Sequence, residues 1–242
     1  MKALLEKYKS VLLLIFVLLI IAVTKKMDDE VMLAVFGTEQ KVFATVVLDA
    51  GHGGMDPGKV GVAGTLEKEL NLEITYRIKR LLEQNNIRVV LTRESDAGLY
   101  TETDSNKKSA DMRKRIEIIN QTEPQLVVSI HQNSYTSPNC KGAQVFFYEG
   151  STNGALLAQT IQATIKETIA DGNTRESKAN GSYYMLKKST YPSVIVECGF
   201  LSSPEEEALL LQEEYQEKMA WAIHLGILRY LNTDKQSSAS NA

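Results

Sequence analysis

Apolar positions along this chain fall into two rhythms. Short runs rich in β-branched residues, at 46–50, 87–92, 126–131, 143–148 and 193–197, read as buried strands. Between them, apolar side chains return every three or four positions, the spacing of a helix that buries one face. Leu70, Ile74, Ile78, Leu81 and Leu82 mark a helix over 66–85, with Thr65 as N-cap and Asn85-Asn86 as its stop. Met112, Ile116 and Ile119 mark a second over 107–122; Leu156, Leu157, Ile161, Ile165 and Ile169 mark a third over 153–170. Pro204 opens an acidic stretch whose Glu205, Glu206 and Glu207 suit the first turn of a helix, and a last helix spans 215–231. The segment 171–182 is polar and reads as mobile. Strand and helix alternate, which predicts an α/β fold: a mostly parallel, twisted sheet with helices on both faces, in a single domain.

The amino terminus breaks both rhythms. Residues 11–23 are an unbroken apolar run, flanked by Lys2, Lys7 and Lys9 before and Lys25 and Lys26 after. The run is shorter than the roughly 18–20 residues of a comfortable membrane span, and suits the core of a secretory signal. Ala22-Val23-Thr24 makes a poor cleavage site, so an uncleaved signal-anchor over 1–26 is favoured over a cleaved peptide. A linker over 27–40, a catalytic domain over 41–232 and a disordered tail over 233–242 complete the expected organisation. On this reading the protein is exported, acts on the extracytoplasmic side of the membrane, and has the membrane as a partner through its apolar segment. The formal net charge of −3 gives no basic footprint, which argues against nucleic acid as a partner. Cys140 and Cys198 are the two cysteines and offer neither a disulfide framework nor a CxxC pair.

Chemistry gathers where three of the strands end. Val46-Val47-Leu48-Asp49-Ala50-Gly51 runs into His52, set among glycines; Leu126-Val127-Val128-Ser129-Ile130 runs into His131; Ser193-Val194-Ile195-Val196 runs into Glu197. Ligands of α/β sheets bind at the carboxyl ends of strands, so the three ends suggest one site. Two imidazoles and a carboxylate are the donor set of a catalytic zinc ion, which keeps its fourth position open. His52 and His131 supply two ligands, and Asp49, Asp56, Glu67, Glu69 and Glu197 are candidates for the third. If Glu67 ligates, Glu197 is free to act as general base and to pass its proton to a leaving amine. Cys198 next to Glu197 could be a nucleophile, but a small buried residue is the better reading. A structural or surface role is favoured for His224, in the last helix.

These residues resemble the zinc-dependent N-acetylmuramoyl-L-alanine amidases of the amidase-3 type. The resemblance covers residues 46–231 and rests on four blocks: Leu-Asp-Ala-Gly-His-Gly-Gly-x-Asp-Pro-Gly at 48–58, Glu-Lys-x-Leu-Asn-Leu at 67–72, Ser-Ile-His-x-Asn at 129–133 and Val-Glu-Cys-Gly-Phe-Leu-Ser at 196–202. Leu-Thr-Arg at 91–93, Asp96, Arg115 and Asn120 are lesser matches, and Ser203 stands where the family usually has asparagine. The resemblance implies one Zn²⁺ per chain on His52, Glu67 and His131, with Glu197 as the catalytic carboxylate. It also implies peptidoglycan as substrate, cut between N-acetylmuramic acid and L-alanine. Within the family the chain looks like the germination-specific spore-cortex amidases, which remove stem peptides before muramic δ-lactam formation. An accessory or activator protein is a further possible partner, and a vegetative or division-associated autolysin is the alternative.

Two other classes compete. Gly51-His52-Gly53 after a strand resembles the opening of a dinucleotide fold, but Asp56 and Pro57 follow where a third glycine and a helix start belong. A non-catalytic relative that only holds peptidoglycan is disfavoured because all four functional positions are intact.

Overall fold

The computed structural model of the protein describes residues 42–240, with side chains to residue 233, together with Phe16. The rest of the predicted signal-anchor and linker lies outside the described residues. Among the described residues no helix is long and apolar enough to cross a membrane.

In chain order the elements are β1 (Ala44–Ala50), α1 (Glu67–Glu83), β2 (Ile87–Leu91), α2 (Lys107–Thr122), β3 (Leu126–Asn133), β4 (Gln144–Tyr148), α3 (Thr152–Ile169), β5 (Lys178–Asn180), α4 (Tyr184–Lys188), β6 (Ser193–Phe200), α5 (Pro204–Leu210) and α6 (Glu213–Ser240). The sheet order is β2-β1-β3-β6-β4-β5. Strands β2, β1, β3 and β6 run parallel, β4 runs antiparallel to β6, and β5 is parallel to β4. The sheet is therefore mixed. The connection 134–143 carries no helix, so the chain returns in the opposite direction instead of crossing over.

Alternation along the central strands sorts their side chains onto two unlike faces. Val46 and Leu48 of β1, Val128 and Ile130 of β3, and Val194, Val196 and Cys198 of β6 join one large core with α1, α3 and α6. The opposite face holds two small clusters: Val47, Val127, Ile119 of α2 and Met185 of α4, and separately Phe146, Ile195 and Leu186. One face is thick, the other thin.

Three local expectations change. Leu66, not Thr65, occupies the N-cap of α1, and it makes no side-chain capping bond. The backbone N–H groups of Glu67 and Lys68 instead donate to Lys59 O (3.0 Å) and Pro57 O (3.1 Å), so the preceding loop caps the helix. Within the polar segment 171–191 lie β5 and α4. Three edge residues, two exposed and one half-buried, show no apolar alternation, and a five-residue helix is too short to show a period. Finally, α6 continues to Ser240 beyond the predicted end at 231; no glycine or proline interrupts 232–240.

A candidate metal centre with a free carboxylate

On the thin face each central strand changes character along its length. Val47 gives way to Asp49 on β1; Val127 to Ser129 and then His131 on β3; Ile195 to Glu197 on β6. The register pairs Asp49 with Ser129 and His131 with Glu197. The site therefore lies on the face of the sheet in the carboxyl halves of β3 and β6. His131 comes two residues before the end of β3 and Glu197 three before the end of β6.

His52 follows β1 in the glycine loop, with a left-handed φ of 62°. That conformation is uncommon away from glycine. It is held by Arg115, whose Nη2 donates to His52 O at 2.6 Å. Glu67 enters from the first turn of α1 and is buried. Its Oε1 lies 3.2 Å from His52 Nε2 and 2.9 Å from His131 Nδ1. The two imidazoles meet edge to face with centroids 5.0 Å apart. One donor atom from each of the three residues falls within 4.8 Å of the others. Space is tight: a Cβ on Gly51 would run into the His131 ring, and one on Gly58 would meet Glu67 Cβ and His52 Cδ2 at 2.8 Å. Gly58 also has φ +70°.

Hydrogen bonds fix these donors. Asp56 Oδ2 lies 3.0 Å from His52 Nδ1, so Nδ1 donates to Asp56 and the ring is oriented with Nε2 toward Glu67. Glu67 Oε2 accepts from Lys59 N (2.7 Å), and Oε1 accepts from Gln132 N (3.1 Å) and Asn71 Nδ2 (3.3 Å). Burial raises the pKa of the Glu67 carboxyl, but the hydrogen bonds and charges of His131 and His52 more than offset it, leaving a carboxylate well below its usual range. Burial opposes protonation of His131, while the Glu67 hydrogen bond and charge outweigh it and raise its pKa. Two imidazoles and one ionised carboxylate, oriented by outer partners, form a set that fits a divalent cation of the zinc type.

Glu197 stands beside this cluster and is bound to none of it. It is 8% exposed, and its Oε2 has no hydrogen-bond partner. Burial pushes its pKa up to about 7; His131 opposes the rise and the Glu67 charge adds to it. A buried carboxylate with an unsatisfied oxygen is costly unless something enters to meet it. The space it faces is a cavity of about 430 Å³ on the thin face. Its walls come from the glycine loop, from Lys107, Lys108 and Met112 of α2, and from Tyr183, Tyr184 and Met185 at the start of α4.

Of the other third-ligand candidates, Glu69 is exposed on α1 and Asp56 is engaged with His52. Asp49 is buried against Arg115, with Oδ1 accepting from Arg115 Nη1 (2.6 Å) and Thr92 Oγ1 (2.6 Å), and Oδ2 from Ser129 Oγ (2.5 Å). Burial works against its ionisation, but Arg115 and the two hydroxyls bring its pKa down to about 2. Arg115 also donates to Asp111 and Ala50 O, and Arg93 donates to Ala50 O, Gly51 O and Lys68 O. Two buried guanidiniums thus grip the backbone on both sides of the turn that presents His52. The motif matches at 91–93 and 115 carried no such role at the sequence level, because an arginine in a periodic helix reads as a solvated face. Cys198 points into the thick core, where burial pushes its thiol pKa up, and this removes it as a nucleophile. His224 is buried and accepts or donates only at Nε2, 3.0 Å from Asn85 Nδ2. Ser203, the departure from the family pattern, is the N-cap of α5.

Fold and site define an α/β domain with a candidate metal centre on one face of its sheet. The family model described as N-acetylmuramoyl-L-alanine amidase (Amidase_3) matches residues 46–229, and the chain belongs to this family. Its enzyme class is accordingly that of an N-acetylmuramoyl-L-alanine amidase. The chain is 38% identical over 188 residues to the germination-specific N-acetylmuramoyl-L-alanine amidase of Bacillus subtilis, covering 76% of this chain and 78% of that one. It is 26% identical over 230 residues to the amidase AmiA of Escherichia coli, covering 77% and 76%. Among solved structures, the CwlD amidase of Clostridioides difficile in complex with the GerS lipoprotein is similar with a TM-score of 0.76 and 40% identity. That match covers 78% of this chain and 99% of the other.

Proposed function

We propose that this chain hydrolyses the amide between N-acetylmuramic acid and L-alanine of peptidoglycan with one Zn²⁺ on His52, Glu67 and His131 and with Glu197 as general base, and that it does so in the spore cortex. The observation that carries the chemistry is the buried, unpartnered Glu197 Oε2 facing the cavity beside a His-Glu-His cluster. The bound ion would supply a Lewis acid for the scissile carbonyl and lower the pKa of water. The chain's own residues do the rest. The cavity takes the scissile amide; Asp56 keeps the His52 proton on Nδ1; Glu197, poised near neutral pH by burial, takes a proton from the attacking water and delivers it to the departing amine of L-alanine. No side-chain nucleophile is required.

The cortex role rests on the likeness to the germination-specific relative over most of its length. Removing stem peptides there would leave muramic residues free to form the δ-lactam. An accessory protein belongs to this proposal as well, because the C. difficile relative is in complex with a lipoprotein. The site of action is extracytoplasmic, and the proposed anchor over 1–26 would hold the enzyme at the membrane. Mass spectrometry of muropeptides tests the reading: purified chain with zinc should release free stem peptides beginning with L-alanine. Intact muropeptides after incubation would support a non-catalytic relative. An active purified chain together with normal muramic lactam in the cortex of a strain lacking the gene would support a vegetative autolysin instead.

A further inference from the structure

Helix α5 follows directly on the strand that carries Glu197, and its acidic first turn does more than complement a helix dipole. Neighbouring glutamates are divided between two tasks. Glu206 turns inward: its Oε1 accepts from Gly142 N at 2.7 Å and its Oε2 from Phe200 N at 2.8 Å, which fixes α5 to the ends of β4 and β6. Glu207, 2% exposed, turns to the loop between His52 and Glu67: Oε2 accepts from Ala63 N at 2.8 Å and Oε1 from Thr65 N at 3.3 Å. Burial raises its pKa, but these bonds to Thr65 and Ala63 lower it overall, so the carboxylate is ionised.

Apart from the Val60–Leu66 bridge, bonds among its own backbone groups and Val62 N donating to Leu201 O at 3.3 Å, that loop leans on Glu207. Residues 59, 60 and 62–64 are exposed, and Val60 and Val62 bury no apolar face. Such a segment is ordered by its polar bonds. The same loop sets the metal donors: Lys59 N donates to Glu67 Oε2, Lys59 O and Pro57 O receive the first N–H groups of α1, and Asp56 at its start orients His52. Gly61 lies against the Glu207 carboxylate so closely that a Cβ there would displace it.

We infer that Glu207 is a positioning residue that ties the ligand loop to the strand bearing the general base, so that the three donors are held in place before the ion arrives. The inference rests on the proposed metal site and adds the device that preorganises it.

Zinc affinity of the full chain, stripped by chelator and titrated in competition with a chromophoric chelator, tests it. Glu207→Ala should weaken zinc binding about tenfold, keep kcat at saturating zinc, and expose the Ala63 and Thr65 amides to hydrogen exchange. Glu205→Ala, two positions away on the exposed side, should change none of these. Gly61→Ala should reproduce the loss by displacing the carboxylate, and should add nothing to Glu207→Ala, because the double variant has room for the new methyl. Should Glu207→Ala fail to fold, Gly61→Ala and Glu207→Gln, which keeps one acceptor and should lose less, carry the test. Wild-type zinc affinity in Glu207→Ala or Gly61→Ala, or additive losses in the double variant, would overturn the inference while leaving the metal site intact. A wild-type chain that binds no zinc would overturn the site itself.

Discussion

The two faces of the sheet are built from the same strands and end with opposite properties. On the thick face, Val46, Leu48, Val128, Ile130, Val194 and Val196 stay apolar along each strand, and three long helices seal them. On the thin face the same strands turn from Val47, Val127 and Ile195 to Asp49, Ser129, His131 and Glu197 within four residues, and α2 and the short α4 leave a cavity between them. Alternation with period two lets one strand serve both purposes, since each face is written on every second residue. Stability is concentrated on one side and chemistry on the other. Substitutions should separate accordingly.

The largest effects belong to the thin face and appear in activity. Removing the metal by chelation, or changing His52→Ala, should abolish hydrolysis, and added zinc should restore only the wild-type chain. Glu197→Gln should lower kcat by about 10²- to 10⁴-fold with zinc content unchanged. The same variant should gain stability without metal. Because the folded pKa of Glu197 is raised to about 7, its ionisation costs the folded state increasingly from pH 4.5 upward, and the cost is complete above 7. Glu197→Gln should therefore be more stable than wild type at pH 8, by up to roughly 3 kcal/mol, and no more stable than wild type at pH 4. An equal difference at both pH values would remove the strain assigned to this carboxylate.

Asp49→Asn comes next and should affect both properties, because it takes from the buried Arg115 its buried counter-charge and leaves only Asp111, while Arg115 still holds the His52 backbone. A loss of about 3–5 kcal/mol is expected, read from denaturant unfolding. The depressed pKa of Asp49 gives the sign with pH: its contribution is complete above about 3.8 and is lost as pH falls through about 2. On the thick face, Ile161→Ala should cost about 2–5 kcal/mol and leave kcat/KM of the folded enzyme near wild type. The smallest change is expected for Met112→Ala, on a half-buried thin-face position, at about 1 kcal/mol. A drop in kcat for Ile161→Ala in fully folded enzyme would break the division between the faces.

The thick face was legible from the sequence because apolar periodicity is its only message: Leu70, Ile74, Ile78 and Leu82, or Leu157, Ile161 and Ile165, announce helix and buried side together. His52, His131 and Glu197 were legible for the opposite reason, as polar groups interrupting apolar runs. Residue spacing alone left Glu67 one of five candidates, since the fold of a glycine loop decides which acid it delivers, and the family resemblance was what singled it out. Arg93, Arg115 and Glu207 were illegible as supports. Most of their partners are backbone N–H and C=O groups, which leave no mark in residue types, and Asp49, which pairs with Arg115, lies 66 positions away in the chain. The antiparallel β4, the edge strand β5 and the short α4 were missed or misdirected because none carries a period long enough to read.

The central claim is that one ion sits on His52, Glu67 and His131 while Glu197 remains unligated beside it. Anomalous diffraction at the zinc edge from zinc-loaded protein measures this directly. The account predicts a single peak bonded to those three side chains, with both Glu197 oxygens outside its coordination sphere. A peak bonded to Glu197, or none at this cluster, would contradict it.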